Sequence, residues 1–228
     1  MIKLTISIFL LLIIEFSNAQ LSADAILKKT LSATGLDKKN IESFEITGFT
    51  EQGQSRLHMQ MYGIRPDLYM MRVTLDSITV TKATNSNYSW QNSTTEDSVI
   101  FYDKETGMAE GFYQQWTGGL DGYIKGKITA ELAGNDRVDG IEVYKLKLEK
   151  NNKVRYYYID KISFLILKIE DVSKNENTYY LDYKKVDGLL LPHQMDGYKG
   201  TTPVLTMIFN EVQINPTLDP KLFNAPIK

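Results

Sequence analysis

The chain has 228 residues, a formal net charge of −2 at neutral pH and no cysteine. The balanced charge argues against nucleic-acid binding, which needs a basic face. The missing cysteine excludes thiol nucleophiles, thiolate metal sites and disulfides. Without disulfides, stability depends on a hydrophobic core, and a chain of about 200 residues can supply one.

Residues 1–19 have the pattern of a secretory signal peptide. Lys3 forms a short charged start, residues 4–14 are apolar, and a Ser-Asn-Ala sequence ends at Ala19. Because the apolar run is short for a membrane span, cleavage before Gln20 is favoured over an uncleaved anchor. The pattern predicts a soluble mature chain in the periplasm. Lipid attachment at a mature N-terminal cysteine is excluded.

The mature sequence begins with a helical pattern and continues with strands. Ser22 is placed to cap the helix, and Gly35 is placed to end it. After Gly35 the hydrophobic period changes to two, which predicts strands. The predicted strands cover residues 41–52, 55–62, 67–75, 77–84, 87–91, 141–150, 153–159, 164–171, 178–185 and 203–214.

The stretch of residues 103–133 lacks this regularity, and two glycines, Gly118 and Gly119, interrupt it. It predicts an insert of one or two short helices between two runs of antiparallel strands. No linker or repeat divides the chain, so residues 20–228 are predicted to form one mainly β domain. Sequential hairpins on this scale curl into a sandwich or a barrel.

Alternation along the predicted strands leaves one face of the sheet apolar. The apolar side chains of such a face fill the interior of a small barrel or line the cavity of a wider, partly open barrel. The methionines of two neighbouring strands either fill the core or form an adaptable wall, since methionine is flexible and polarizable. The candidate lining residues are Leu57, Met59, Met61, Met70, Tyr144, Leu146, Leu148, Leu165, Leu167, Tyr179, Leu181, Leu205, Met207 and Phe209.

Residues 155–171 predict a hairpin with apolar side chains on both faces. Leu165 and Leu167 are assigned to the cavity. Phe164 and Ile166 lie on the other face and need separate cover, for which the N-terminal helix is the candidate. The inverse assignment of the two faces stays open.

The sequence offers little support for catalysis or metal binding. His58 and His193 have no second histidine or carboxylate at ligand spacing. We interpret both as solvated or hydrogen-bonded structural residues, with His193 in a loop-like segment after Pro192. There is no G-x-S-x-G elbow and no glycine-rich phosphate loop. We therefore predict a protein that is not an enzyme and uses no metal or other cofactor.

Four local sequences, in one order, resemble the periplasmic lipoprotein carrier family, the LolA-like proteins. YGIRPDLYMMRV, with Arg65 and Pro66, is similar to the family's strand-turn-strand, and NYSW places Trp90 at its next aromatic position. VDGIEVYKLKLEKNNKVRYYYIDKISFLILKIED is similar to its strand, hairpin and returning strand, and LDPKLFNAP to its C-terminal ending. The resemblance spans most of the mature chain and points to the divergent members from Bacteroidetes.

This resemblance implies a half-open antiparallel β-barrel with a helical lid over its concave mouth. It implies carriage of lipid or of lipoprotein acyl chains, with an inner-membrane lipoprotein exporter and an outer-membrane acceptor as partners. The family's lid-holding arginine is matched by Arg65. A plainer interpretation is that this arginine, which precedes a proline at a strand end, only solvates the turn. We expect the protein to work as a monomer.

Three functions are compatible with these observations. The leading hypothesis is a non-catalytic periplasmic carrier of lipid or acylated lipoprotein. The alternative is an envelope lipoprotein sensor or interaction domain, because one fold serves different functions. An envelope hydrolase is the third and lacks an evident nucleophile and base.

Overall fold

The structure is a computed structural model that describes residues 21–96, 98–120, 123, 126, 128–150 and 153–226. The predicted signal peptide and its cleavage site lie outside the described residues. Among the residues that are described, no helix has the length and apolar character needed to cross a membrane.

The described elements are two α-helices, thirteen strands and a short 3-10 helix. They are α1 (Ala23–Thr34), β1 (Ser43–Gln52), β2 (Ser55–Ile64), β3 (Leu68–Leu75), β4 (Ile78–Thr84), β5 (Ser89–Ser93), β6 (Val99–Tyr102), α2 (Met108–Thr117), β7 (Thr129–Val138), β8 (Ile141–Lys150), β9 (Lys153–Asp160), β10 (Ile166–Asp171), β11 (Glu176–Val186), β12 (Leu189–Lys199), β13 (Thr202–Ile214) and the 3-10 helix Pro220–Phe223.

The predicted ends of the first helix are confirmed. The hydroxyl of Ser22 accepts a hydrogen bond from the backbone N–H of Ala25 at 3.2 Å, which caps the N-terminus of α1. Gly35 follows the last turn in the left-handed conformation, with a φ of 77°.

All thirteen strands form one antiparallel sheet in the order β6-β5-β4-β3-β2-β1-β13-β12-β11-β10-β9-β8-β7. Strands adjacent in sequence pair with each other except β6 and β7, and β1 joins the two halves by pairing with β13. Open sheets of more than about ten strands curl. This sheet does not close into a barrel, since its edge strands, β6 and β7, do not pair with each other. The predicted half-open, mainly β fold is confirmed. The connection between the two edges contains α2.

The concave face of the sheet and both helices enclose one large hydrophobic cluster, here called the inner core. Aromatic side chains of α2 occupy its centre. The Phe112 ring lies 5.2 Å from that of Phe44, and the Trp116 ring lies 6.1 Å from that of Phe209, measured between centroids. From α1, Ile26 and other apolar side chains complete the cover.

Two smaller clusters lie outside the inner core. One consists of Met70, Ala83, Trp90 and Phe223, and the Trp90 indole N–H donates to the carbonyl of Phe223 at 2.8 Å. The 3-10 helix thereby covers the outer face of β3 to β5. The other cluster consists of Val138, Val143 and Tyr158, with partly buried neighbours.

Three strands were missed by the hydrophobic pattern. They are β6, β7 and β12. Half of β7 fell in the predicted insert, and β12 was interpreted as a loop. In β12, Pro192 has no backbone N–H to donate to the ladder. It pairs with Tyr183 of β11, and the residue before Tyr183, Asp182, has a positive φ of 52°. The strand persists because β11 and β13 pair with it on both sides. His193 is therefore buried within a strand, and its loop assignment was wrong.

Gly63 tests how tightly the inner core is packed. A Cβ at Gly63 would lie 2.2 Å from the ring of Phe44, its cross-strand partner, whereas a Cβ at Gly111 would meet nothing within 4 Å. We expect Gly63→Ala to lower the free energy of unfolding by about 1–3 kcal/mol. The control Gly111→Ala should raise it by up to about 1 kcal/mol, because alanine favours helix. Urea unfolding measures both, and equal midpoints would contradict the packing described.

Candidate functional site

Most of the predicted lining residues meet in the inner core. Met59, Met61, Leu146, Leu148, Met207 and Phe209 are buried there, and Tyr144 and Leu205 pack against it partly buried. Leu57 and Leu165 are half-buried and belong to none of the three clusters described.

Four predicted lining residues lie elsewhere, which corrects their assignment. Met70 belongs to the cluster around Trp90, while Leu167 and Tyr179 pack against the cluster around Tyr158. Leu181 is 39% exposed. In each case the neighbouring residue faces the inner core instead, namely Tyr69 and Met71 on β3, Ile166 on β10 and Tyr180 on β11.

The hairpin of β9 and β10 has its faces arranged by a bulge. The register shifts between Ile166 and Lys168, and an extra residue at this point allows Ile166 and Ile169 to share a face. Both reach the inner core, and Leu167 points outward. Phe164 lies under α1, where the ammonium group of Lys29 is 4.8 Å from its ring centroid. The N-terminal helix contacts Phe164 as hypothesised, but Phe164 and Ile166 both pack in or against the inner core, so their assignment to the opposite face was wrong and the inverse assignment holds.

The space under the sheet is filled by the helices. Trp116 of α2 and Ile26 and Leu27 of α1 are fully buried, as are Met61 and Leu146 of the sheet. α2 is therefore the structural counterpart of the predicted lid.

Arg65 joins this lid to the sheet. Its Nε donates to the carboxylate of Glu110 in α2 at 2.5 Å, and its guanidinium carbon lies 3.7 Å from the Tyr113 ring centroid. On the other side, Nη1 donates to the carbonyl of Ile41 at 2.7 Å and to the side chain of Asn40 at 3.1 Å. The described contacts between Arg65 and α2 are with the Glu110 carboxylate and the Tyr113 ring, and the carbonyl of Ile41 lies just before β1.

Further hydrogen bonds hold the C-terminal half of α2. The Trp116 indole N–H donates to the carbonyl of Pro192 at 3.1 Å. The hydroxyl groups of Tyr180 and Tyr157 donate to backbone carbonyls at the end of the helix, each at 2.8 Å. Burial raises the pKa of Tyr180 well above its usual value, so its hydroxyl stays protonated and able to donate.

Two clefts flank this end of α2 and share Gln114 and Arg155. The mixed-charge cleft, of about 400 Å³, brings Lys174, Asp171 and Glu176 together with Arg155. The cationic cleft, of about 320 Å³, has three basic residues and an apolar floor. Its principal residues are Lys150, Lys153, Arg155, Ile128, Leu148 and Tyr157.

Arg155 separates the two clefts and is oriented by Asp171. Its Nε donates to the Asp171 carboxylate at 3.0 Å. Burial alone would raise the pKa of Asp171, but hydrogen bonds from Ser173 and Arg155 hold it below its usual value. Asp171 therefore stays ionised at neutral pH and fixes the guanidinium at the cleft boundary.

Both histidines are held by contacts with neighbouring groups. His193 has its Nδ1 3.0 Å from the carbonyl of Leu191, and His58 packs against Phe49 with ring centroids 4.5 Å apart. Across the described ranges, no three His, Asp or Glu side chains are grouped to hold a metal ion.

Comparison with solved structures identifies the fold. A DUF1329 family protein from Desulfovibrio piger superposes with a TM-score of 0.58 at 12% identity, covering 89% of this chain and 97% of that one. A LolA superfamily protein from Nitrosomonas europaea gives 0.52 at 13% identity, covering 90% and 99%. A domain from Vibrio parahaemolyticus, named for outer membrane lipoprotein sorting, gives 0.52 at 12% identity, covering 89% and 97%.

These likenesses confirm the predicted LolA-like fold. They extend over nearly the whole length of each structure, whereas the sequence identity is low. No family model and no curated protein matches the sequence.

Arg65→Leu tests whether the arginine holds α2. Loss of its charge-assisted hydrogen bonds should weaken the docking of the helix by about 2 kcal/mol, so that hydrogen exchange of α2 amides accelerates while β1 and β2 keep their protection. Arg65→Lys should be intermediate, because lysine lacks the rigid fork of donors. The control is Arg56→Leu, which removes an exposed arginine that contacts Phe49 and Glu51 far from α2. Equal α2 exchange in Arg65→Leu and in the control would show that Arg65 does not hold the lid.

Proposed function

We propose that this protein is a non-catalytic periplasmic carrier that binds a lipid, or the acyl chains of a lipoprotein, between its curved sheet and α2. The observation that carries the proposal is the composition of the interface beneath α2. The helix inserts the aromatic side chains of Phe112 and Trp116 among apolar side chains of the inner core, and the described hydrogen bonds that hold it lie toward its two ends. An acyl chain can replace the apolar contacts of these rings, and the Pro192 carbonyl and the Tyr180 hydroxyl, which lose their partners in α2 when the helix moves, then need other partners.

α2 is suited to move as a unit. It has ten residues, and an isolated helix of this length is marginal in water, so its stability depends on packing against the sheet. Its N-terminus follows Gly107, which offers no side-chain cap. The helix is stable when docked, and loss of docking releases it together with Phe112 and Trp116.

Methionine makes the wall behind α2 adaptable. Met59, Met61, Met195 and Met207 are buried in the inner core, and Met71 packs against it partly buried. Unbranched side chains with a polarizable sulfur fit irregular apolar shapes at low cost. A site that accepts acyl chains of different length or branching needs this property.

The comparisons and the sequence support the setting of the proposal. One similar structure is named for outer membrane lipoprotein sorting and another as a LolA superfamily protein. The signal pattern of residues 1–19 favours export to the periplasm. We propose a monomer that receives its ligand from an inner-membrane lipoprotein exporter and delivers it to an outer-membrane acceptor.

The two tryptophans of the sequence provide a direct test of where an acyl chain binds. A fatty acid brominated in mid-chain quenches indole fluorescence on contact. In the Trp90→Phe variant, which keeps Trp116 on the core-facing side of α2, we expect saturable quenching of most of the indole emission. In the matched Trp116→Phe variant, Trp90 reports from the outer cluster and should stay unquenched. Saturable binding that quenches neither tryptophan, or only Trp90, would contradict binding beneath α2.

Native mass spectrometry of protein purified from its own periplasm tests the natural cargo. We expect a mature chain that starts at Gln20 and carries an acylated species, recovered by lipid extraction. A chain that retains residues 1–19 would contradict release into the periplasm. A ligand-free chain that binds a membrane regulator tightly would instead support the sensor function.

A further inference from the structure

The cationic cleft lies on the concave face of the β8–β9 hairpin. Side chains of cross-strand partners lie on the same face of a sheet. Leu146 pairs with Tyr157, the next same-face pair is Leu148 with Arg155, and the last is Lys150 with Lys153. Along five residues of each strand, three of which lie on this face, the surface changes from buried apolar through amphipathic to doubly cationic.

The final pair is unfavourable without a counter-ion. Like charges directly opposite each other on neighbouring strands destabilise a sheet. In the described part of the chain, neither Lys150 nor Lys153 forms an ion pair with a carboxylate, and the described residues that line the cleft include no acid. By contrast, Lys147 on the outer face of the same strand pairs with Glu131 and Glu149. The cleft therefore concentrates positive charge that the surrounding described residues do not neutralise.

The cationic cleft is continuous with the lid. Gln114 of α2 forms part of its wall, and its floor includes Leu148 and Tyr157, both of which belong to the inner core. The Tyr157 hydroxyl also holds the end of α2 through the carbonyl of Gly118. An acyl chain that lies between the sheet and α2 can therefore leave the inner core at this cleft.

We propose that the cationic cleft binds the anionic head group of a single-chain lipid whose acyl chain lies beneath α2. This inference rests on the proposed function and specifies its ligand. The charge of Lys150 and Lys153, beside the guanidinium of Arg155 that is paired with Asp171, is complementary to a carboxylate or phosphate, and a polar head left outside the inner core needs no burial. The cleft volume of about 320 Å³ is near the lower end of the range of small-molecule sites, which suits a compact head group.

Two lipids with the same acyl chain separate charge recognition from chain binding. We expect calorimetric titration below the micellar concentration to show that palmitoyl-lysophosphatidylglycerol, which is anionic, binds about tenfold more tightly than zwitterionic palmitoyl-lysophosphatidylcholine. The preference should shrink as ionic strength rises, because exposed charges are screened.

The variant Lys150→Gln/Lys153→Gln should reduce this preference about tenfold, to near equality. The exposed pair Lys184→Gln/Lys185→Gln removes the same charge away from the cleft and should retain the preference. The cleft variant should unfold at a urea concentration no lower than the wild type, because a repulsive pair has been removed. This readout separates loss of recognition from loss of folding.

The outcomes distinguish the two levels of the proposal. Equal binding of both lipids to the wild type, or a preference unchanged in the cleft variant, would overturn the head-group site and leave the carrier function standing. Absence of binding by either lipid would overturn the carrier function and the head-group site together.

Discussion

A thirteen-stranded sheet with one apolar face must be covered, and the whole molecule is organised by this requirement. The sheet curls but does not close, so its concave face would be wetted without the helices. Aromatic packing of Phe112 and Trp116 against Phe44 and Phe209 supplies the cover at the centre. Burial of one such side chain contributes about 1.5–3 kcal/mol. This contact joins α2 to β1, which carries Phe44, and to β13, which carries Phe209. The packing of each of these elements therefore depends on the other two.

The same contact explains why the cover can be exchanged. Hydrophobic burial is non-directional, and an apolar surface is satisfied equally by aromatic rings or by methylene groups. The position of α2 on the sheet is set by polar contacts around this apolar surface. They are the pairing of Arg65 with Glu110 and the hydrogen bonds that Trp116 and Tyr180 donate. Stability and position are thus provided by different interactions, so the position of α2 can change while the sheet remains intact.

Charge on the concave face is distributed unevenly. Where β9 meets β10, Arg155 is paired with Asp171, and the adjacent cleft has balanced charge. Where β9 meets β8, the lysines at the hairpin end face each other. Two clefts that share Arg155 and Gln114 therefore differ in their electrostatics, because among the described lining residues only one receives acidic side chains, from β10 and the start of β11.

The sequence by itself determined the first helix, most strands and the apolar row that includes Met59, Leu146 and Phe209, because caps and alternation are local. Local pattern could not assign the faces of β10 and β11: Ile166 faces inward with Ile169 only because of a bulge, and Tyr179 and Tyr180 are identical residues of opposite orientation. The resemblance marked Arg65, but its partners in α2 are set by tertiary structure. Tertiary structure also decided what fills the concave face, since this depends on which distant segment packs against the sheet.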